Sequence, residues 1–246
     1  MIKKLLSFII LFLITFNIGA LQLGDTVPNF KAVTTEGDIT FNDYAKGSWV
    51  LLFSHPGDFT PVCTTELARV AYLQPDFQAR NVKLLGLSVD SLEDHKEWVP
   101  HVNAFKDIID PIEKRPNVAY PIIADKDLNI AKIFNMIHPN ANPNESAFGL
   151  KKKATIRSVY IIDDKQKIQT ILTYPMHVGR NFDEILRTID ALQLAEKVSI
   201  ATPANWHNGD MVVVPNYITN DMIEEKYGTK DFVEYQTYLR MIKQPK

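Results

Sequence analysis

Two apolar runs limit what this chain can fold into. Trp49-Val50-Leu51-Leu52-Phe53 shows no polar alternation, and Val82-Lys83-Leu84-Leu85-Gly86-Leu87-Ser88-Val89 is nearly as continuous. Strands that are apolar on both sides belong inside a sheet covered on both faces. The segment between them has helical periodicity from Thr64 to about Ala79, and Asn81 closes it. Strand, helix and strand in that order make a βαβ unit, so the two strands are expected to run parallel with a right-handed crossover. The first run ends in Ser54 and passes through a loop punctuated by Pro56, Gly57 and Pro61 to Cys63, the only cysteine in 246 residues. Backbone N–H groups in a helix's first turn have no intrahelical acceptor, and the helix dipole adds partial positive charge there. Both favour an anion, so a thiol at this position is a candidate for activation as a thiolate.

The remaining chain reads in the same mixed style. Leu23 to Phe30 is irregular around Pro28, and Val33 to Phe41 forms a short hairpin with Glu36-Gly37-Asp38 as its turn. A helix is expected from about Leu92 to Phe105, capped by Asp90 or Ser91, with Glu93 and Asp94 in its first turn. A short strand at Pro121 to Ala124 follows a proline-rich passage, and Asp125 can cap a helix from about Asp127 to Phe134. His138 to Gly149, rich in Asn and Pro, reads as an exposed loop. Ala154 to Ile162 and Lys167 to Thr173, joined by Asp163-Asp164-Lys165-Gln166, predict an antiparallel hairpin. A helix from Arg180 or Asn181 to about Leu194 places Phe182, Ile185, Leu186, Ile189 and Leu192 on one face. Beyond Glu196 the chain is turn-rich, with a short strand at Met211 to Val214 and a helix at Asn220 to Tyr227. Some fifty residues with few aliphatics make a poor independent core, so this tail is expected to pack on the main body or on a partner chain.

The N-terminus has a different character. Lys3 and Lys4 precede an apolar stretch from Leu5 to Ile14, and Gly19-Ala20 close the segment. A basic start, a short apolar core and small residues at a cleavage point are the pattern of a secretory signal peptide over residues 1–20, with export and a mature chain from Leu21. The run is short for a membrane anchor, which needs about 20 apolar residues. In an exported protein a lone cysteine can form an intermolecular disulfide, lie buried as an inert thiol, or be reactive. Net charge of −2 and a pI near 6.3 give no sign of nucleic-acid or acidic-membrane binding.

The βαβ…ββα order with Cys at a helix start points to an α/β, thioredoxin-like fold with a central mixed sheet flanked by helices and a small C-terminal extension. The stretch His55-Pro56-Gly57-Asp58-Phe59-Thr60-Pro61-Val62-Cys63-Thr64-Thr65-Glu66 resembles the active-site signature of the peroxiredoxins, in the form of their 1-Cys subfamily. The resemblance continues through Ser88-Val89-Asp90-Ser91, Tyr174-Pro175, Gly179-Arg180-Asn181-Phe182 and Ala201-Thr202-Pro203-Ala204-Asn205-Trp206. It implies that Cys63 is a nucleophile that attacks a hydroperoxide and becomes a sulfenic acid. It further implies that Thr60 bonds the peroxide, that Pro61 shields the thiolate and that Arg157 favours the thiolate and binds the peroxide oxygens. Glu66 corresponds to a glutamate that orients the arginine. His55 corresponds to a histidine near the sulfur, where a tuning role and a satisfied core histidine both remain open. An unperturbed thiol near 8.5 is only a few per cent ionised at neutral pH, so full ionisation gains about tenfold to thirtyfold. Larger acceleration requires alignment of the peroxide and stabilisation of the leaving oxygen.

With one cysteine there is no resolving thiol, so an external thiol or other reductant must restore Cys63. The resemblance thus implies a thiol peroxidase acting on hydrogen peroxide and organic hydroperoxides, without a cofactor. A peroxide sensor or chaperone-like oligomer using the same cysteine is the alternative. His95, His101, His138, His177 and His207 show no metal-like spacing, so no metal site is expected. No Gly-Gly pair occurs, which suggests resistance to over-oxidation. Some subfamily members hydrolyse phospholipids through a serine with a histidine and an aspartate. Here Ser48 lacks both flanking glycines of that motif, the histidine position holds Asn42, and only Asp164 matches, so lipid hydrolysis is not expected. The expected organisation is a peroxiredoxin domain over 21–195 and a C-terminal extension over 196–246. That extension is expected to make dimer contacts, with a homodimer or a higher ring as the assembly.

Overall fold

The computed structural model describes residues 19–109, 115–137 and 154–245. The expected signal segment, apart from its last two residues, and the loop expected over 138–149 lie outside the described residues. In chain order the elements are β1 (Lys31–Ala32), β2 (Ile39–Thr40), α1 (Phe41–Ala45), β3 (Trp49–Ser54), α2 (Pro61–Ala79), β4 (Val82–Ser88) and α3 (Leu92–Ile109). They continue with β5 (Ile122–Ala124), α4 (Asn129–Ile133), β6 (Arg157–Ile162), β7 (Ile168–Tyr174) and α5 (Phe182–Val198). The chain closes with β8 (Val212–Val214), α6 (Asn220–Tyr227), β9 (Val233–Gln236) and β10 (Leu239–Ile242).

The central sheet has the order β5-β4-β3-β6-β7. β3 pairs parallel with β4, from Trp49 opposite Val82 to Ser54 opposite Leu87, and antiparallel with β6. All six residues of β3 are buried, which is why its sequence does not alternate. Its odd residues still face one way and its even residues the other. Trp49, Leu51 and Phe53 pack with Leu67 and Phe77 of α2, Trp98 of α3 and Ile185 of α5. Val50 and Leu52 pack with Phe30, Phe41 of α1 and Ile130 of α4. Helices cover both faces of a mixed sheet, the thioredoxin-like arrangement that the sequence predicts.

Local chemistry explains where the boundaries fall. α2 begins at Pro61, three residues before the periodicity suggests, because Thr60 is its extended N-cap and proline is well tolerated at the first helical position. Pro75, inside α2, cannot donate to the Ala71 carbonyl. The Gln74 side chain donates to that carbonyl instead, at 3.3 Å, and also to Asn117 O at 2.8 Å. Asn81 leaves the helix with φ of 54°, a left-handed turn that asparagine accepts more readily than most residues. Asp125 accepts from Ile130 N and Ala131 N at 3.2 and 2.7 Å, so it serves the start of α4 even though the helix is shorter than expected. Asn181 caps α5 by accepting from Asp183 N and Glu184 N, each at 3.1 Å.

The tail packs on the main body. Ile200, Trp206, Val212, Val214, Ile218, Ile223 and Ile242 form a small core that continues onto Ala191, Leu194, Ala195 and Val198 of α5. Its sheet has the order β8-β10-β9. The strands β9 and β10 are absent from the sequence reading: β9 is exposed at all four positions, and in β10 the buried pair is Arg240 and Ile242, so an arginine interrupts the apolar set.

Candidate active site

Cys63 is the third residue of α2 and is fully buried. The first intrahelical bond at this end runs from Thr64 N to Thr60 O at 3.0 Å, so the Cys63 N–H belongs to the unpaired first turn. Arg157 opens β6, beside β3, and reaches the sulfur from the sheet. Its Nη1 donates to Cys63 Sγ at 3.4 Å and to Glu66 Oε2 at 2.6 Å, while its Nε donates to Met176 O at 2.8 Å. Glu66 lies one helical turn after Cys63, on the same side of α2, which puts both within reach of one guanidinium.

Glu66 binds a second arginine. Arg180 donates to Glu66 Oε1 through its backbone N at 2.8 Å and its Nε at 2.9 Å, and to Oε2 through Nη2 at 2.7 Å. Its Nη1 donates to Ser158 O at 3.0 Å, and the guanidinium lies against the rings of Phe53 and Phe182. Burial pushes the Glu66 carboxyl up, but the charges and hydrogen bonds of Arg180, with Arg157 behind them, outweigh it and hold the group below the usual carboxylate range. Two guanidinium groups thus surround one carboxylate in a water-poor site. These three side chains together carry a net positive charge beside Cys63 Sγ, which favours an anion there. Sequence reasoning passed over Arg180. The available signal was an arginine directly before a capped, apolar helix, where a buried position demands a carboxylate partner.

Thr60 is half-buried at the N-cap, and its hydroxyl donates to Gly57 O at 2.8 Å. Its lone pairs are left to accept from a ligand. Pro61 is exposed at the first helical position. His55, at the end of β3, is fully buried, and its ring is not hydrogen-bonded to Sγ. Its Nε2 meets Asp58 Oδ1 at 2.8 Å, and its Nδ1 has no partner among the described residues. The other Asp58 oxygen meets His95 Nδ1 at 2.6 Å. One His55 nitrogen is thus satisfied within the core, and the other is bare among the described residues.

His55, Asp58 and His95 are the one group among the described residues whose ligand atoms come close enough, within 4.8 Å of one another, to hold a metal ion. Sequence spacing could not show this, because the fold joins the loop before α2 to the start of α3. Their geometry is that of direct hydrogen bonds. Both Asp58 oxygens take a histidine nitrogen, and the second His95 nitrogen lies 3.1 Å from Ile123 O. Ser48 is buried and its hydroxyl donates to Asn81 Oδ1 at 3.0 Å. That contact supplies no base for a serine nucleophile.

Known proteins resemble this chain along most of its length. The AhpC/TSA family matches residues 23–171, and the C-terminal domain of 1-Cys peroxiredoxin matches residues 191–230. The mitochondrial peroxiredoxin PRX1 of Saccharomyces cerevisiae is 46% identical over 223 residues, spanning 91% of this chain and 81% of that protein. Peroxiredoxin-6 of Homo sapiens is 43% identical over 231 residues, 92% of this chain and 99% of that protein. Among solved structures, a yeast mitochondrial 1-Cys peroxiredoxin superposes with a TM-score of 0.79 at 44% identity, covering 91% of this chain and 99% of that one. A cysteine-to-serine mutant of peroxiredoxin 6 from Arenicola marina gives 0.80 at 39% identity, covering 92% and 100%.

The yeast relative corrects one expectation. A protein this similar is mitochondrial, so export through a secretory signal peptide at residues 1–20 does not stand. A lysine pair before an apolar stretch, with no acidic residue until Asp25, does not by itself separate one targeting route from another. Single-cysteine chemistry, the clasp around Glu66 and the two family matches converge: this chain belongs to the AhpC/TSA family of peroxiredoxins and carries the C-terminal domain of their 1-Cys members.

Proposed function

We propose that the protein is a thiol peroxidase in which Cys63 is the peroxidatic cysteine and Arg157, Thr60 and Glu66 complete the reacting site. The observation that carries this reading is Arg157 Nη1 at 3.4 Å from Sγ while the same nitrogen is held by Glu66. The thiolate attacks the distal oxygen of a hydroperoxide. An S–O bond forms, the O–O bond breaks, and the leaving oxygen departs as water or an alcohol, taking a proton equivalent to the one the thiol released on ionising. The guanidinium stabilises charge on the sulfur and on the leaving oxygen. Thr60, its proton already given to Gly57 O, accepts from the peroxide's O–H and sets its approach, and Pro61 screens the sulfur from water. His55 supports the site from the end of β3.

An external thiol then attacks the sulfenic sulfur, releasing water, and a second thiol frees Cys63 from the mixed disulfide. Phe59, half-exposed beside Thr60, offers an apolar contact suited to organic hydroperoxides as well as hydrogen peroxide. The protein acts as a homodimer, with residues 196–246 as the extension that contributes contacts. Exposed Tyr217, Tyr235 and Tyr238 on that extension support a partner-facing surface. The test is a peroxidase assay with several thiol donors, comparing the protein with Cys63→Ser. Loss of turnover is expected, and retained turnover in the variant overturns the mechanism.

A further inference from the structure

Asp58 and His95 lie outside the reacting groups and join His55 in a buried cluster whose side chains are between 0 and 1% exposed. Their proton inventory follows from their neighbours. His95 Nε2 lies 3.1 Å from the Ile123 carbonyl and Nδ1 lies 2.6 Å from Asp58 Oδ2. A carbonyl oxygen accepts only, and so does an ionised carboxylate. Both His95 nitrogens must donate, which makes the ring an imidazolium. Burial pushes the Asp58 carboxyl up, yet hydrogen bonds from His55 and His95, with the charge that His95 carries, outweigh it and keep the group below the usual carboxylate range. Asp58 is therefore the anion of this pair.

His55 follows from that assignment. Its Nε2 faces Asp58 Oδ1 at 2.8 Å, and a lone pair pointed at an anion over that distance would be repelled, so Nε2 carries the proton. A second imidazolium would leave this cluster with an uncompensated buried charge, so His55 is neutral. Its Nδ1 is then a bare lone pair, buried and without a partner among the described residues. Leaving such an acceptor unmatched in the interior is unfavourable. The loop from β3 to α2 has His55 at one end and Thr60 at the other, with Asp58 pinned between them. Asp58 N donates to Asp90 Oδ2 at 2.9 Å, and Phe59 is held left-handed with φ of 56°, a strained choice for an aromatic residue. The His55 ring also lies 5.3 Å from that of Trp98, whose Nε1 donates to Thr64 Oγ1, next to Cys63.

We propose that Asp58 and His95 are positioning residues for peroxide reduction: the buried carboxylate–imidazolium pair fixes His55 in one tautomer, with Nδ1 kept as a hydrogen-bond acceptor for the O–H of hydrogen peroxide that Thr60 does not take, or for that of the Cys63 sulfenic acid. This is the logic by which a buried aspartate holds a catalytic histidine in the productive tautomer, with a second histidine added to keep the aspartate charged. The proposal rests on the reading of His55 as a supporting residue of the site.

Nitrogen-15 NMR of the imidazoles in the folded full chain tests the protonation states directly. His95 should carry protons on both nitrogens at neutral pH, and His55 on Nε2 alone. Asp58→Asn and His95→Asn should slow peroxide reduction about tenfold to a hundredfold. Alkylation of Cys63 by iodoacetamide should change less than about twofold, because Arg157 and Glu66 are untouched. A His55 proton on Nδ1, a neutral His95, or unchanged peroxide rates in both variants overturns the proposal, and the wild-type spectrum decides even where a variant does not fold. His55→Ala separates the two levels. If it slows the reaction while the Asp58 and His95 variants do not, only this inference fails. If it leaves the rate unchanged, the role of His55 fails and the inference with it.

Discussion

Replacing Glu66 by glutamine removes one negative charge from a buried site that already holds two guanidinium groups. The carboxylate accepts four hydrogen bonds, from Arg157 Nη1 at 2.6 Å and from Arg180 Nη2, Nε and backbone N at 2.7, 2.9 and 2.8 Å. A glutamine keeps one acceptor oxygen and turns an NH₂ group toward a guanidinium, donor against donor. Removing one member of a buried ionic cluster destabilises by about 3–5 kcal/mol. At an m-value of about 2–3 kcal/mol/M this moves the urea midpoint down by about 1–2 M. The pH dependence should change too. The folded-state pKa of Glu66 lies below its unfolded value, so its contribution is fully present above about pH 4.3 and is lost as pH falls through the lower, folded value. Glu66→Gln should lack that part of the acid limb. The kinetic consequence should split. Arg157 keeps its charge beside Sγ, so alkylation of Cys63 persists, whereas loss of its anchor slows peroxide reduction by about a hundredfold. Stability within about 0.5 kcal/mol of the parent and an unchanged peroxide rate would refute this account of the clasp.

Asn181→Ala removes the acceptor for two first-turn N–H groups of α5 and should cost about 1 kcal/mol, a fall in Tm of about 2–4 °C by calorimetry. Pro75→Ala restores the donor to Ala71 O in an exposed position of α2 and should stabilise by about 1–2 kcal/mol, after the looser unfolded chain takes back part of the helix gain. A lower urea midpoint for that variant would show that the Gln74 bond already satisfies the helix. Cys63 should resist conversion to sulfinic acid at low peroxide doses, and intact-mass spectrometry finding two added oxygens at stoichiometric peroxide would contradict this.

The sequence by itself determined the sheet's centre, because an unbroken apolar run such as Trp49 to Phe53 is stable only between two covered faces. It also placed Cys63 at a helix start, while Thr60 and Glu66, three residues to either side, were legible through resemblance to a family. Arg157 was legible only through resemblance to a family, being 94 residues from Cys63 along the chain. Tertiary structure alone decided the rest. Glu66 meets Arg180 across 114 positions and Asp58 meets His95 across 37, and nothing in local periodicity or turn chemistry encodes which distant cation will share a buried carboxylate. Those partners are set by how α3, α5 and β6 pack around the loop before α2, where low dielectric requires every charge to be matched. Short-range chemistry put the cysteine at a helix start, and long-range packing chose the charges that surround it.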